Sequence, residues 1–429
     1  MSTWTAAPDS AGPVISARTI RQIVRASTGG TRVRVRLSNR FGSAPVTIGP
    51  VHMALRAVGA SGAAIEAGSG HALSFGGQAS ITIAAGASVV SDPTAVDIAP
   101  LRELAVSMFV HAGSGPSTVH GAGMQTAFVA RGADTGAAIN FAPESRDDSR
   151  YFLSDVEVST GAPAGTVVIV GDSISDGVGS TPDHHARWPD ALADRLQGLA
   201  QPLNVGVANA GIAGNRILRD GADPFVGPSA LARLNADAID KPGVRWIVLA
   251  EGINDIAASS MLAAPEQHAS AVQIIDGMRT LIERAHNRGI KVWGATLLPC
   301  GGAKDFWTTQ GERARQDVNA WIRGGGAFDR VIDFERVTQD PAHQERLLPA
   351  FDSGDHLHPN DAGYRAMAAA IEPRWFATEL DDAPVAMPPP TRLDGAPHGR
   401  ALPRSAAAAS SRAPIDARPP FHARIRPSR

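Results

Sequence analysis

Two kinds of hydrophobic pattern divide this chain. In roughly the first 160 residues apolar and polar positions alternate, most strictly in Arg32-Val33-Arg34-Val35-Arg36-Leu37. Period-two alternation puts the arginines on one face and the apolar side chains on the other, which predicts a half-buried strand. Residues 46–55, 80–83 and 104–110 supply further short strands, separated by turns at Phe75-Gly76-Gly77 and Asp92-Pro93. Short strands at this spacing predict an all-β sandwich, jelly-roll-like in character. Later the apolar residues run without interruption: Val167-Val168-Ile169-Val170, residues 203–208, Trp246-Ile247-Val248-Leu249-Ala250, residues 291–298 and residues 331–334. Runs that are apolar on both faces predict buried parallel strands. Helices are expected between and after them at 189–199, 265–288 (closed by Gly289), 312–322 and 360–371. Strand alternating with helix predicts an α/β fold, a flavodoxin-like three-layer α/β/α sandwich.

From about residue 383 the periodicity vanishes. Eight arginines face only Asp394 and Asp416, a local net charge of +6, and prolines recur. This predicts a disordered basic tail, passive rather than a binding arm. The expected organisation is an all-β domain at 1–160, an α/β domain at 161–378 and the tail at 379–429. No repeat of solenoid length is present.

Composition narrows the function. A chain of 429 residues is too long for one core of usual size, which fits two domains. Its net charge of −2 gives no support for nucleic-acid or membrane-surface binding by the whole chain. Cys300 is the one cysteine, so no intrachain disulfide can form, and no Cys/His motif surrounds it. It reads as a buried thiol. No 18-residue apolar run predicts a membrane span. The opening residues lack a basic start and an apolar stretch, so no signal peptide is expected as written. The expectation is a cytoplasmic protein, or a secreted one if the chain begins at a mature start. The arginine stripe could meet an acidic sugar, but it reads better as a solvated sheet face.

The candidate chemistry sits where apolar strands end. Gly171-Asp172-Ser173 closes the first run, and open α/β sheets place their ligands at that edge. Ser173 could be a nucleophile, a helix cap, or part of a phosphate-cradling turn. A nucleophilic serine needs a base and a carboxylate to orient it. Asp355 and His358, in Asp355-His356-Leu357-His358-Pro359-Asn360, are three apart, close enough for one turn to deliver both. The same segment suits a helix entry, and both readings can hold together. His356 is the rival base, but beside Asp355 its side chain should diverge. Asn209-Ala210-Gly211-Ile212-Ala213-Gly214-Asn215-Arg216 offers glycines that let a backbone amide approach an oxyanion, or an ordinary turn. Asn254, in Glu251-Gly252-Ile253-Asn254-Asp255, offers a side-chain amide for the same purpose, or an Asx turn closing its strand.

Together these four segments resemble the SGNH (GDSL-type) hydrolase superfamily over roughly residues 165–375. Gly171-Asp172-Ser173-Ile174 matches the nucleophile block, with Ile in place of the commoner Leu. Gly214 matches the oxyanion glycine, Asn254 the oxyanion asparagine, and Asp355 with His358 the Asp-x-x-His block. The wording Arg187-Trp188-Pro189-Asp190 and Gly354-Asp355-His356-Leu357-His358-Pro359-Asn360 is similar to a bacterial subgroup with an added N-terminal β-domain. The resemblance implies a serine esterase with no metal and no cofactor. Its catalytic residues would be Ser173, Asp355 and His358, and its oxyanion donors Ser173, Gly214 and Asn254. It implies small-molecule or polysaccharide esters as substrates: short acyl, aryl or sugar O-acetyl. The neighbouring α/β-hydrolase class is excluded because Gly-x-Ser-x-Gly would need glycine where Ser175 stands. Two other classes compete with this reading. A nucleotide binder lacks the Gly-x-Gly-x-x-Gly fingerprint and a P-loop lysine. A carbohydrate-binding protein with a weak or inactive hydrolase domain is the alternative, though aromatic platforms are sparse. Asp183, His184 and His185 read as loop residues on the rim of the site rather than metal ligands.

Overall fold

The uninterrupted apolar runs form one parallel sheet in the computed structural model of the protein, which describes residues 1–380 apart from 61, 133, 162, 222 and 223. The order across the sheet is Val205–Gly211, Gly165–Gly171, Val244–Ala250, Lys291–Ala295 and Arg330–Ile332. Numbered along the chain this is 2-1-3-4-5, the flavodoxin-like order. The chain leaves the first strand in one direction and returns to its other side. The crevice at that switch lies at the carboxyl end of Gly165–Gly171.

Alternate residues of these strands feed two separate cores. Val168 and Val170 pack with Ile274, Met278, Leu281, Val318 and Ile322 from helices Ala271–His286 and Thr309–Gly324. Val167 and Ile169 pack with Trp188, Leu192, Leu196 and Met367 from helices Trp188–Gln197 and Asp361–Ala369. Burial on both faces is why these strands carry no polar alternation. Element boundaries shift where capping decides. The helix expected from 265 begins instead at Ala271, because Ser270 and Gln273 form a capping box there. Strand Lys291–Ala295 stops short of 298, and Phe334 starts a helix, Phe334–Thr338, instead of ending a strand.

The N-terminal region is antiparallel. One sheet runs Ser2–Thr5, Leu153–Ser159, Gly30–Ser38 and Ser88–Val90. A larger one is built around Arg18–Arg25, Glu103–Val110 and Val46–Leu55. Val33, Val35 and Leu37 of the first sheet and Val24, Val106 and Met53 of the second share one core. Arg32 and Arg34 face solvent as the alternation predicts, and Arg34 and Arg36 pair with Glu157 of the adjacent strand.

The described residues, 1–380, make one compact unit, so the β-region packs directly on the α/β region. Lys241 Nζ bonds Asp155 Oδ2 at 2.8 Å, Thr166 Oγ1 donates to Ser2 O at 3.1 Å, and Val207 N–H donates to Ser27 Oγ at 2.8 Å. The tail read at 379–429 lies, from residue 381 onward, outside the described residues. No helix among the described residues is long and apolar enough to cross a membrane.

Candidate active site

Gly171 ends its strand with Gly211 and Ala250 as register partners on either side. The segments carrying Ser173, Gly214 and Asn254 therefore leave the sheet side by side. Ser173 opens a one-turn helix, Ser173–Asp176, capped by the Asp172 carboxylate, which accepts from Ile174 N–H at 3.0 Å. The turn folds so closely over its strand that a Cβ at Gly171 would run into Ser175 Oγ. Only glycine fits there.

The far end of the chain supplies the candidate base. His358 Nε2 lies 2.8 Å from Ser173 Oγ, and Nδ1 lies 2.6 Å from Asp355 Oδ2. Asp355 Oδ1 accepts from the N–H groups of Leu357 at 2.9 Å and His358 at 2.8 Å. The loop is thus wound around its own carboxylate, and the imidazole's orientation is set locally. Burial works against the Asp355 charge, but the hydrogen bond and positive potential of His358 outweigh it and hold this carboxyl well below the usual carboxylate range. Asn360 then caps helix Asp361–Ala369. His356 turns away: its Nδ1 meets Asp352 Oδ2 at 2.6 Å, and its side chain is 56% exposed.

The two neighbouring strand ends lead to the two candidate oxyanion donors. Gly214 has φ of 76°. A side chain there would be strained, and its Cβ would collide with Val226. Asn254 lies in the first turn of helix Ile253–Met261, not in an Asx turn closing its strand. Its Nδ2 donates to Asn215 O at 3.0 Å, tying the two loops together. The amide carries a second hydrogen that this bond does not use.

Several residues that support this half went unread in the sequence. Arg233 is fully buried and donates to Asn215 Oδ1 at 2.8 Å, Ala210 O at 2.6 Å and Gly171 O at 3.1 Å. Asp255 accepts from the N–H groups of Ile217 at 2.7 Å and Leu218 at 3.1 Å. Asn209 Nδ2 donates to Ser175 O at 2.7 Å. The available signal was a polar residue inside an apolar stretch, since a buried polar group must find partners.

Burial leaves marks on the carboxyl groups beneath the site. Neither oxygen of Glu251 has a hydrogen-bond partner, and the nearest guanidinium nitrogen, of Arg233, is 3.7 Å away. Burial pushes Glu251 up to about 8. It also pushes Asp172 and Asp255 up to about 6, against the backbone N–H bonds each accepts. Cys300 is pushed up to about 12, so it stays a thiol. Asp183 and His185 turn toward the β-region rather than standing free: Asp183 accepts from Thr126 Oγ1 at 2.7 Å, and His185 meets Glu103 at 2.7 Å. Among the described residues no cluster of His, Cys, Asp or Glu could hold a metal ion.

Residues 169–366 match the sequence profile of the GDSL-like lipase/acylhydrolase family. No curated protein matches the chain. Similar solved structures include the acetylxylan esterase Axe2 from Geobacillus stearothermophilus, at 22% identity and a TM-score of 0.37, covering 50% of this chain and 94% of that one. The acetyl xylan esterase AlAXEase is similar at 20% identity and a TM-score of 0.37, covering 49% and 98%. A GDSL-like lipase from Bacteroides thetaiotaomicron is similar at 19% identity and a TM-score of 0.36, covering 52% and 92%.

Proposed function

Residues 169–366 form a GDSL-like lipase/acylhydrolase domain and the protein is a carboxylic ester hydrolase; we propose that it works through an acyl-enzyme on Ser173. Ser173 Oγ attacks the ester carbonyl carbon while His358 Nε2 takes its proton. His358 then returns the proton to the alcohol as the C–O bond breaks. Asp355 holds the imidazole tautomer and stabilises the imidazolium. The amides of Ser173 and Gly214 and the Asn254 side chain meet the charge that develops on the carbonyl oxygen. Water repeats the cycle on the acyl-enzyme. No step uses a metal or a cofactor.

The observation that carries this reading is the unbroken line from Ser173 Oγ through His358 to Asp355, at 2.8 and 2.6 Å. The substrates we propose are short acyl, aryl or sugar O-acetyl esters. The separation of a β-domain up to about residue 160 from a catalytic domain at 161–378 belongs to the same proposal. Hydrolysis of p-nitrophenyl acetate, with covalent labelling of Ser173 by an organophosphate, is the test. A folded protein with no turnover on any acetyl, aryl or acylated-sugar ester would favour the alternative, a carbohydrate-binding protein with an idle hydrolase domain.

A further inference from the structure

His120 plays no part in the mechanism above, yet it is buried against the nucleophile helix. It ends strand Pro116–His120 of the β-region and is 4% exposed. Its Nε2 lies 2.9 Å from Asp176 Oδ1, and its Nδ1 lies 2.9 Å from Ala7 O. A carbonyl oxygen can only accept, so Nδ1 carries a hydrogen, and the Asp176 carboxyl sits on the other ring nitrogen. Asp9 Oδ2, 3.8 Å from Nδ1, adds a second carboxylate to the same ring. Desolvation opposes the charge, but Asp176 and Asp9 override it and push His120 up to about 9.

Asp176 is the last residue of the nucleophile helix, and its free oxygen reaches further. Asp176 Oδ2 accepts from Ala213 N–H at 3.0 Å. Ala213 immediately precedes Gly214. One carboxylate therefore joins three parts: the β-region through His120, the Ser173 helix through its own backbone, and the loop that carries the Gly214 amide. Arg187 and Tyr364 face the same carboxylate from the catalytic domain. A buried ion pair is a poor source of stability, because desolvation offsets its attraction. Its geometry is another matter: a carboxylate gripped on both oxygens cannot rotate.

We propose that His120 is a positioning residue of the ester-hydrolase site, holding Asp176 and through it the Ala213–Gly214 peptide, so that the β-region completes the oxyanion hole. This rests on the reading that Ser173 is the nucleophile and Gly214 an oxyanion donor. The test is a double-mutant cycle in the full chain, scored as kcat per active site titrated with an organophosphate. His120→Ala should lower kcat about 10- to 100-fold with KM within about twofold, as expected for a donor moved off line by a fraction of an ångström. Asp176→Ala should lose at least as much, and the double variant should be no worse than Asp176→Ala alone. His120→Gln, which keeps a donor but no charge, should fall about threefold to tenfold below wild type. Should His120→Ala not fold, this variant carries the test. Wild-type kcat per titrated site in the variant tested, additive losses in the cycle, or a neutral His120 ring by nitrogen NMR at pH 7.5 would each overturn the proposal. A Ser173→Ala control separates the two readings. Activity surviving in it means the site assignment has failed, whereas its loss beside an unaffected His120 variant means only the positioning role has.

Discussion

The two flanks of Ser173 are built by different means. The proposed base flank is local: Asp355 and His358 are three residues apart, and the loop's own N–H groups hold the carboxylate. The proposed oxyanion flank is assembled from afar. Arg233 binds Asn215 and the ends of two strands, Asp255 holds Ile217 and Leu218, and Asp176 holds Ala213. A short loop wrapped around one carboxylate can orient an imidazole without outside help. Donors carried on different strand ends cannot, because each is placed by its own strand and loop. The base flank should therefore fail through chemistry when altered, and the oxyanion flank through geometry.

The largest expected effect falls where the flanks meet. Ser173→Ala should reduce kcat by about a millionfold and leave the circular dichroism spectrum unchanged. Organophosphate labelling at another serine would break the comparison outright. On the base flank, Asp355→Asn keeps the size of the side chain but favours the wrong imidazole tautomer. It should cost roughly three to four orders of magnitude in kcat, with a modest drop in Tm near neutral pH because the fold favours the charged Asp355.

The oxyanion flank should respond less. Asn254→Ala should lower kcat by about a hundredfold, or about 2.7 kcal/mol, with little change in KM. Asn254→Asp should be worse than Ala, because it sets a carboxylate against both Asn215 O and the developing oxyanion. A faster Asp variant, with both variants folded, would remove Asn254 from the oxyanion hole.

The smallest effect is on stability and sharpens the picture of buried charge. Glu251 is pushed up to about 8 by burial, while a free glutamate titrates near 4.5. Between those values the folded chain keeps a proton that the unfolded chain has lost. By linkage, stability falls as pH rises through that window. Glu251→Gln should therefore raise Tm by about 2–5 °C at pH 9 and by nothing at pH 5. An equal gain at both pH values, measured by thermal melts, would show that Glu251 does not titrate there.

Much of this protein was legible before folding was considered. Runs apolar on both faces, such as Val167 to Val170, dictated buried parallel strands, because a strand with no polar side must be covered twice. The alternating arginines at 32, 34 and 36 dictated a half-wet sheet. Gly171-Asp172-Ser173 and Asp355-x-x-His358 marked the proposed nucleophile and base, and folding brings Ser173 Oγ and His358 Nε2 to 2.8 Å. What only the tertiary structure decided was which distant polar residues meet. Arg233, Asp176 and His120 each look ordinary in sequence, because a buried charge has no local pattern. Its partners lie 18, 37 and 56 residues away along the chain, and packing alone brings them within hydrogen-bond reach.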